Sequence, residues 1–209
     1  ALARAGADLV FTARKIEDLA ASRTSLEAHG HRVIPLALDL RSESSIRDCA
    51  AAAIQEAGAI DILLNNAGCN IRKPAVEVTW DDWNTILDTN LRGTFFMAQA
   101  IARHMIPRKK GRIVNIGSVT SVFGYAGLTP YSASRGGVKQ MTMSLADDLG
   151  PHGITVNCLA PGWFRTAQND VMYRDPEWIA YLTERIPLKR PGRAEDLDGA
   201  VVMPPSTRR

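Results

Sequence analysis

The sequence contains few of the residues that a disulfide framework or a metal centre would require. It has three cysteines in 209 residues, Cys49, Cys69 and Cys158. They are scattered and odd in number, which is typical of reduced thiols in a cytoplasmic protein. The four histidines show no spacing typical of metal ligands. We therefore predict a cytoplasmic protein without a metal site.

Long apolar runs and a strong charge imbalance are also missing. No stretch approaches the roughly 18 apolar residues of a membrane-spanning helix. The formal net charge of +3 is too small to indicate binding to nucleic acid or to a membrane. Hydrophobic residues make up 45% and charged residues 22% of the chain, as in ordinary soluble globular proteins. The length suits one α/β domain with a sizeable core.

Apolar, β-branched runs alternate with helical segments along the chain. Strands are predicted at residues 7–13, 32–38, 60–64, 112–116 and 154–159, and the main helices at 16–30, 42–57, 79–107 and from 131 onward. This alternation predicts a doubly wound parallel sheet, a Rossmann-like single-domain α/β fold. Ligands bind such folds at the carboxyl ends of the strands.

The most informative stretch lies between residues 111 and 151. A strand leads into Ser118, and Tyr131 opens a long helix with Arg135 four residues further on. Positions i and i+4 share one helix face, so Tyr131 and Arg135 are predicted to point towards Ser118 if strand and helix pack side by side.

This combination of side chains suits proton transfer to or from an oxygen atom. A nearby cation favours the ionised form of a phenol, and such a phenol can exchange a proton with a hydroxyl or carbonyl group at neutral pH. A serine hydroxyl can hold the same oxygen by a hydrogen bond. A tyrosine four residues before a cation is also common on helix surfaces, but the preceding strand and serine favour a catalytic interpretation.

The stretch resembles the short-chain dehydrogenase/reductase family, whose motif is a serine followed by Tyr-x-x-x-Lys. Ser118 and Tyr131 match, whereas Arg135 stands in place of the lysine. The resemblance covers nearly all of residues 1–202. It implies an NAD(P)-dependent oxidoreductase that interconverts an alcohol and a carbonyl of a small molecule by hydride transfer. It also implies a homo-oligomer, either a dimer or a tetramer.

The resemblance implies two sets of site residues. The catalytic set is Asn90, Ser118, Tyr131 and Arg135. The cofactor-binding set is Arg14, Asp39, Leu40, Asn66, Ala67, Gly68, Tyr131, Arg135, Pro161, Gly162, Phe164 and Thr166.

Each set carries roles implied by the family. Asn90 would bend its helix and hold a water of the proton relay. The pair Asp39–Leu40 would lie against the adenine ring, and residues 66–68 would line the adenosine side. The backbone near Phe164 and the hydroxyl of Thr166 would hold the nicotinamide carboxamide.

The end of the strand at 7–13 bears on the choice of cofactor. In dinucleotide folds an acid near this point binds the ribose 2′-hydroxyl, whereas an arginine accepts a 2′-phosphate. Ala13 stands at the acidic position and Arg14 follows it. The pattern favours NADP, with NAD as the alternative cofactor. The alternative to 2′-phosphate binding is that Arg14 and Lys15 are only a solvated basic pair.

The resemblance also implies segments that are not among residues 1–209. A first strand with a glycine-rich phosphate loop would precede Ala1, and a last strand would follow. We therefore expect residues 1–202 to form a domain truncated at both ends, with an atypical tail at 203–209. Because the first strand would lie between them, the strands at 7–13 and 60–64 should not pair.

Three functions stay open on these observations. The chain is an active oxidoreductase, a nucleotide-binding relative impaired by Arg135, or a fragment without function. NADPH binding without turnover would mark the second, and no binding the third. Relatives act on small alcohols, sugars, sugar acids, steroids and acyl thioesters. Residues 161–164 and 167–169 are similar to those of sugar-acid members.

Overall fold

A computed structural model describes residues 1–166 and 169–202 of the chain. Residues 167 and 168, which belong to the segment similar to sugar-acid members, and the predicted tail at 203–209 lie outside the described residues. The strands are β1 (Leu9–Ala13), β2 (Val33–Ala37), β3 (Ile62–Asn65), β4 (Gly111–Ile116) and β5 (Ile154–Leu159). The α-helices are α1 (Ala20–Glu27), α2 (Glu43–Ala57), α3 (Trp80–Leu87), α4 (Gly93–Arg108), α5 (Thr129–Leu149), α6 (Pro176–Arg185) and α7 (Asp198–Val202).

The strands form two parallel sheets. β1 pairs with β2, and β3, β4 and β5 pair in that order. Strands alternate with helices along the chain, which confirms the predicted single-domain α/β fold. β1 and β3 are not neighbours in either sheet of the described residues, so the predicted absence of pairing between them is confirmed.

Helix boundaries follow from capping side chains. The Ser42 hydroxyl accepts a hydrogen bond from the Ser45 amide and begins α2, and Gly58, with φ of 77°, ends it. Thr79 and Asp82 form a capping box that begins α3. The predicted helix at 16–30 is shorter than expected: a 3₁₀ turn, Ile16–Leu19, precedes α1.

The helical run predicted from 79 to 107 changes geometry at Asn90. A π-helical turn, Asp88–Arg92, separates α3 from α4. The Asn90 side chain is fully buried, and π turns of this kind occur frequently at functional sites. The predicted departure from regular helix at Asn90 is confirmed.

The hydrophobic core lies between the β3–β5 sheet and helices α2, α4 and α5. Its most deeply buried members include Ile113 of β4 and Met105 of α4, both with no exposed surface. Burial of apolar side chains such as these is the main favourable contribution to the packing of the helices on the sheet.

A buried polar ladder crosses this core. Asn65 Nδ2 donates to Asn115 Oδ1 at 2.9 Å, and the two residues face each other across the β3–β4 pair. Asn115 Nδ2 donates to Thr142 Oγ1 of α5 at 3.0 Å, and that hydroxyl donates to the Val138 carbonyl at 2.7 Å. The ladder therefore fixes β3, β4 and α5 to one another near the carboxyl ends of the strands.

Removing the last member of the ladder should destabilise the fold. Thr142→Val keeps the shape but leaves Asn115 Nδ2 buried without an acceptor. Such a loss typically costs about 1–3 kcal/mol, which urea unfolding would measure. Thr155→Val, at an exposed position of β5, is the matched control and should change the free energy of unfolding by less than about 0.5 kcal/mol. Equal values for both variants would contradict a stabilising ladder.

Candidate active site

The candidate site lies at the carboxyl ends of β3, β4 and β5. Backbone hydrogen bonds hold the loops together there: the Gly117 amide donates to the Leu159 carbonyl at 2.7 Å, and the Val119 amide to the Pro161 carbonyl at 3.0 Å. The segments that contain Ser118 and Pro161 are thus adjacent, as expected for a parallel sheet.

Ser118 follows β4 and is buried, with 8% of its surface exposed. Its Oγ accepts a hydrogen bond from the Thr120 amide at 3.1 Å. This contact uses a lone pair and leaves the hydroxyl hydrogen available to a ligand oxygen.

Tyr131 and Arg135 lie on one face of α5, as predicted. The guanidinium carbon of Arg135 lies 5.1 Å from the centre of the Tyr131 ring. Arg135 Nη1 donates to the Ile116 carbonyl at the end of β4, at 2.7 Å. The helix face that carries Tyr131 is thereby held against the strand end that leads to Ser118.

The guanidinium of Arg135 is buried beside Gly68. Only 5% of the residue is exposed, and a Cβ on Gly68 would overlap Arg135 Nη2. A glycine at this position therefore makes room for the larger cation. Arg135 Nε has no hydrogen-bond partner among the described residues.

Asn90 connects the loop after Gly68 to α5. Its Oδ1 accepts from the Cys69 amide at 2.8 Å, and its Nδ2 donates to the Cys69 carbonyl at 2.9 Å and to Ser134 Oγ at 3.1 Å. These contacts give Asn90 a structural role. Its role in a water relay stays a prediction.

The residues predicted near adenine and adenosine fall into two groups. Residues 66–68 are exposed and accessible to a ligand. Leu40 is 92% buried and belongs to the core, so only its exposed edge could face adenine. Asp39 and Arg41 line a cleft of about 360 Å³. Hydrogen bonds from Arg41 lower the pKa of Asp39, and the charge of Arg14 adds to the effect.

The residues predicted near the nicotinamide share one partner that the sequence analysis missed. Asn169 Nδ2 donates to the Phe164 carbonyl at 2.8 Å, and Asn169 Oδ1 accepts from the Thr166 amide at 2.7 Å. The Pro161 carbonyl accepts a hydrogen bond from the Val119 amide, and Gly162 is exposed. Pro161, Gly162, Phe164 and Thr166 therefore form one segment beside Ser118.

An aromatic cluster borders this segment and was not predicted. The ring centres of Tyr125 and Trp163 are 5.3 Å apart, those of Trp163 and Trp178 are 5.0 Å apart, and Tyr181 stacks on Trp178 at 5.3 Å. Arg72 lies 5.3 Å from the centre of the Tyr125 ring. Tyr125 belongs to the loop between Ser118 and Tyr131, and Trp163 belongs to the segment whose Pro161 carbonyl accepts from the Val119 amide, so the cluster is built on the same loops as the candidate site.

A second cleft lies away from the predicted site residues. A larger cleft of about 780 Å³ lies along α6 and contains none of the predicted site residues. Within residues 1–166 and 169–202, no three His, Cys, Asp or Glu side chains are grouped as metal ligands. No helix in those ranges has the length and apolar character to cross a membrane.

A parallel α/β sheet with a serine, a tyrosine and a cation at its carboxyl edge is the arrangement of a nicotinamide-dependent oxidoreductase. The model of the short chain dehydrogenase family matches residues 1–177. The chain therefore belongs to the short-chain dehydrogenase family, and it is an NAD(P)-dependent oxidoreductase that interconverts an alcohol and a carbonyl.

Several relatives are similar over nearly the whole chain. Gluconate 5-dehydrogenase of Gluconobacter oxydans is 41% identical over 201 residues, which are 96% of this chain and 78% of that protein. 2-Dehydro-3-deoxy-D-gluconate 5-dehydrogenase of Escherichia coli is 36% identical over 202 residues, 96% of this chain and 79% of that protein. A gluconate 5-dehydrogenase of Burkholderia cenocepacia, solved in complex with NADP and tartrate, superposes with a TM-score of 0.91 at 37% identity, covering 95% of this chain and 78% of that one.

The residues present fit a nicotinamide dinucleotide. The buried Arg135 Nε lacks an acceptor within the described residues, and a ribose hydroxyl can supply one. The exposed backbone of residues 66–68 allows close approach of a ligand, because small side chains leave it open.

Replacing Arg135 by lysine should raise turnover and lower stability. An ammonium is smaller than a guanidinium and frees space beside Tyr131 and Gly68, but it gives up the bond to the Ile116 carbonyl. We expect kcat to rise severalfold and the melting temperature to fall, as steady-state kinetics and thermal unfolding would show. Tyr131→Phe should abolish turnover in either background.

The control for this comparison is Lys139→Arg, an exchange of exposed cations one turn further along α5. It should leave both kcat and the melting temperature unchanged. A lower kcat in Arg135→Lys would mean that the site has adapted to arginine.

Proposed function

We propose that the protein interconverts a hydroxyl and a keto group of a sugar acid with NADP as cofactor. The choice of substrate rests on one observation, the position of Arg72. This exposed cation lies over the ring of Tyr125, which belongs to the loop between Ser118 and Tyr131, and no carboxylate pairs with it among the described residues. Its hydrogen bond to Met172 Sδ, at 3.5 Å, is weak.

The chemistry divides between the cofactor and two side chains. When bound, the nicotinamide supplies or accepts the hydride. In the reduction, the Tyr131 hydroxyl gives a proton to the carbonyl oxygen of the substrate, and the Ser118 hydroxyl donates a hydrogen bond to the same oxygen. In the oxidation, the phenolate oxygen of Tyr131 takes the proton of the substrate hydroxyl. Arg135 provides positive charge beside the Tyr131 ring.

A polyhydroxy acid suits Arg72 and two polar atoms that are unpartnered within the described residues, one two residues before Arg72 in the chain and one in the aromatic cluster. Arginine binds carboxylates well, because its planar fork can make two parallel hydrogen bonds. Asn70 Oδ1 and Trp178 Nε1 are buried and have no partner among the described residues. Hydroxyl groups both donate and accept, so a polyol chain can satisfy both atoms. The names of the gluconate relatives support the same class of substrate.

A direct assay tests this function. Addition of 5-ketogluconate to the protein and NADPH should decrease the reduced nicotinamide absorbance. NADPH binding without turnover of any keto acid would instead favour the impaired, nucleotide-binding alternative. That alternative rests on one observation, the burial of Arg135 where the family has a lysine.

Arg72→Ala should weaken recognition of the carboxylate. A hydrogen bond to a charged group is worth about 1.5–3 kcal/mol, so KM for the keto acid should rise roughly tenfold or more. A keto sugar of equal length without the carboxylate should show little change. Arg47→Ala, at an exposed position of α2, is the control variant. An equal rise of KM for both substrates would contradict recognition of the acid by Arg72.

Arg14 supports the preference for NADP. It follows β1, is exposed, and lies close enough to Asp39 to influence its ionisation. Arg14→Ala should weaken NADPH binding roughly tenfold or more, since a charged contact of about 1.5–3 kcal/mol is lost, and should leave NADH binding nearly unchanged. Lys15→Ala is the neighbouring control. Equal losses for both cofactors, measured by fluorescence titration, would show that Arg14 does not bind the 2′-phosphate.

A further inference from the structure

Ser121 links the two elements that carry the candidate catalytic groups. It lies in the short 3₁₀ helix Val119–Ser121, which follows Ser118. Its Oγ accepts a hydrogen bond from the Ser118 amide at 3.1 Å and donates one to the Arg135 carbonyl at 2.8 Å. One hydroxyl thus joins the backbone of Ser118 to the backbone of α5.

The contact to α5 goes beyond an ordinary helix cap. In a capping box the side chain needs only to satisfy the backbone amide of the cap residue, which the bond to Ser118 does. The hydroxyl hydrogen of Ser121 is then used on a different element, on the same residue whose side chain binds the Ile116 carbonyl. Arg135 therefore makes two contacts with the segment 116–121: its guanidinium donates to the Ile116 carbonyl, and its main-chain carbonyl accepts from Ser121 Oγ.

We propose that Ser121 is a positioning residue for Ser118, which sets the place of the Ser118 hydroxyl relative to Tyr131. This inference rests on the proposed function, because it assigns the oxygen-binding role to Ser118. Ser118 is buried, so its amide needs a protein partner. Without the Ser121 hydroxyl that amide loses its partner and the turn can shift. A displacement of about 1 Å can reduce a rate roughly a hundredfold.

The test is a double-mutant cycle on Ser118 and Ser121. Ser121→Ala should lower kcat about ten- to a hundredfold while KM for NADPH stays within about twofold, because the cofactor does not contact Ser121 in the proposal. Ser118→Ala should lower kcat at least as much. The double variant should be no slower than Ser118→Ala, because a group that acts only through Ser118 has no effect once that hydroxyl is absent.

Two further variants separate positioning from general damage. Ser121→Thr keeps the hydroxyl and should restore kcat to within about threefold of the unchanged protein. Ser144→Ala removes an exposed hydroxyl from α5, the helix to which Ser121 is hydrogen-bonded. It should change neither kcat nor the melting temperature.

Three results would overturn the proposal. They are an unchanged kcat in Ser121→Ala, losses in the two single variants that multiply in the double variant, and a threonine variant as slow as the alanine variant. If Ser118→Ala itself retains full activity, the oxygen-binding role of Ser118 is wrong and the proposed function fails with it. A slow Ser118→Ala with multiplying losses removes only the inference on Ser121.

Discussion

The rest of the site depends on the contacts of the buried Arg135 guanidinium with the end of β4 and with Tyr131. A cation with 5% of its residue exposed is costly unless its donors are satisfied. No carboxylate pairs with Arg135 among the described residues. Its guanidinium instead donates to the carbonyl at the end of β4, lies over the ring of Tyr131 and occupies the space beside Gly68. A cation over an aromatic ring is worth roughly 0.5–2 kcal/mol, and a hydrogen bond to a charged group about 1.5–3 kcal/mol.

The neighbouring contacts all act on the same junction. Asn90 ties the loop after Gly68 to α5 through Ser134, and Ser121 ties Ser118 to the main chain of α5. Deeper in the core, Asn115 connects β3, β4 and α5. The contacts of Asn90 and Asn115 are buried and that of Ser121 is part-buried, so breaking any one leaves a polar group with little access to water. The strand end and the helix therefore move little relative to one another, which is what proton transfer at a fixed oxygen requires.

We expect arginine in place of lysine to shift the balance between stability and activity. A guanidinium reaches the Ile116 carbonyl and fills the space next to Gly68, whereas an ammonium would leave part of that space to a ligand. Active sites commonly give up stability for function, and substitutions that stabilise them often reduce the rate. We therefore expect a firmly held site with reduced rather than absent activity.

The sequence predicted the strands, the main helices and the face shared by Tyr131 and Arg135, because these depend on local periodicity and short spacings. The resemblance implied a bend at Asn90, and the structure has a π-helical turn there. Pattern reasoning did not find the cluster of Arg72, Tyr125 and the two tryptophans. Those residues are distant in sequence, and only the packing of loops against α6 brings them together.

Ser121 and Asn169 were missed for a related reason. Each is a short polar residue that local sequence assigns to an ordinary turn. Their importance lies in a second hydrogen bond, to another element for Ser121 and to two backbone groups of the 161–166 segment for Asn169. The identity of a single residue does not show which distant group its side chain will bind.

The most direct measurement of the central interaction is NMR of the arginine side-chain nitrogens. A guanidinium bonded to the Ile116 carbonyl and shielded by Tyr131 should rotate slowly and exchange its hydrogens slowly, unlike the exposed arginines. We expect one such set of resonances, and we expect it to disappear in Arg135→Lys. If every arginine in the protein exchanges at the rate of exposed side chains, Arg135 is not held at the strand end, and the account of the site built on it is wrong.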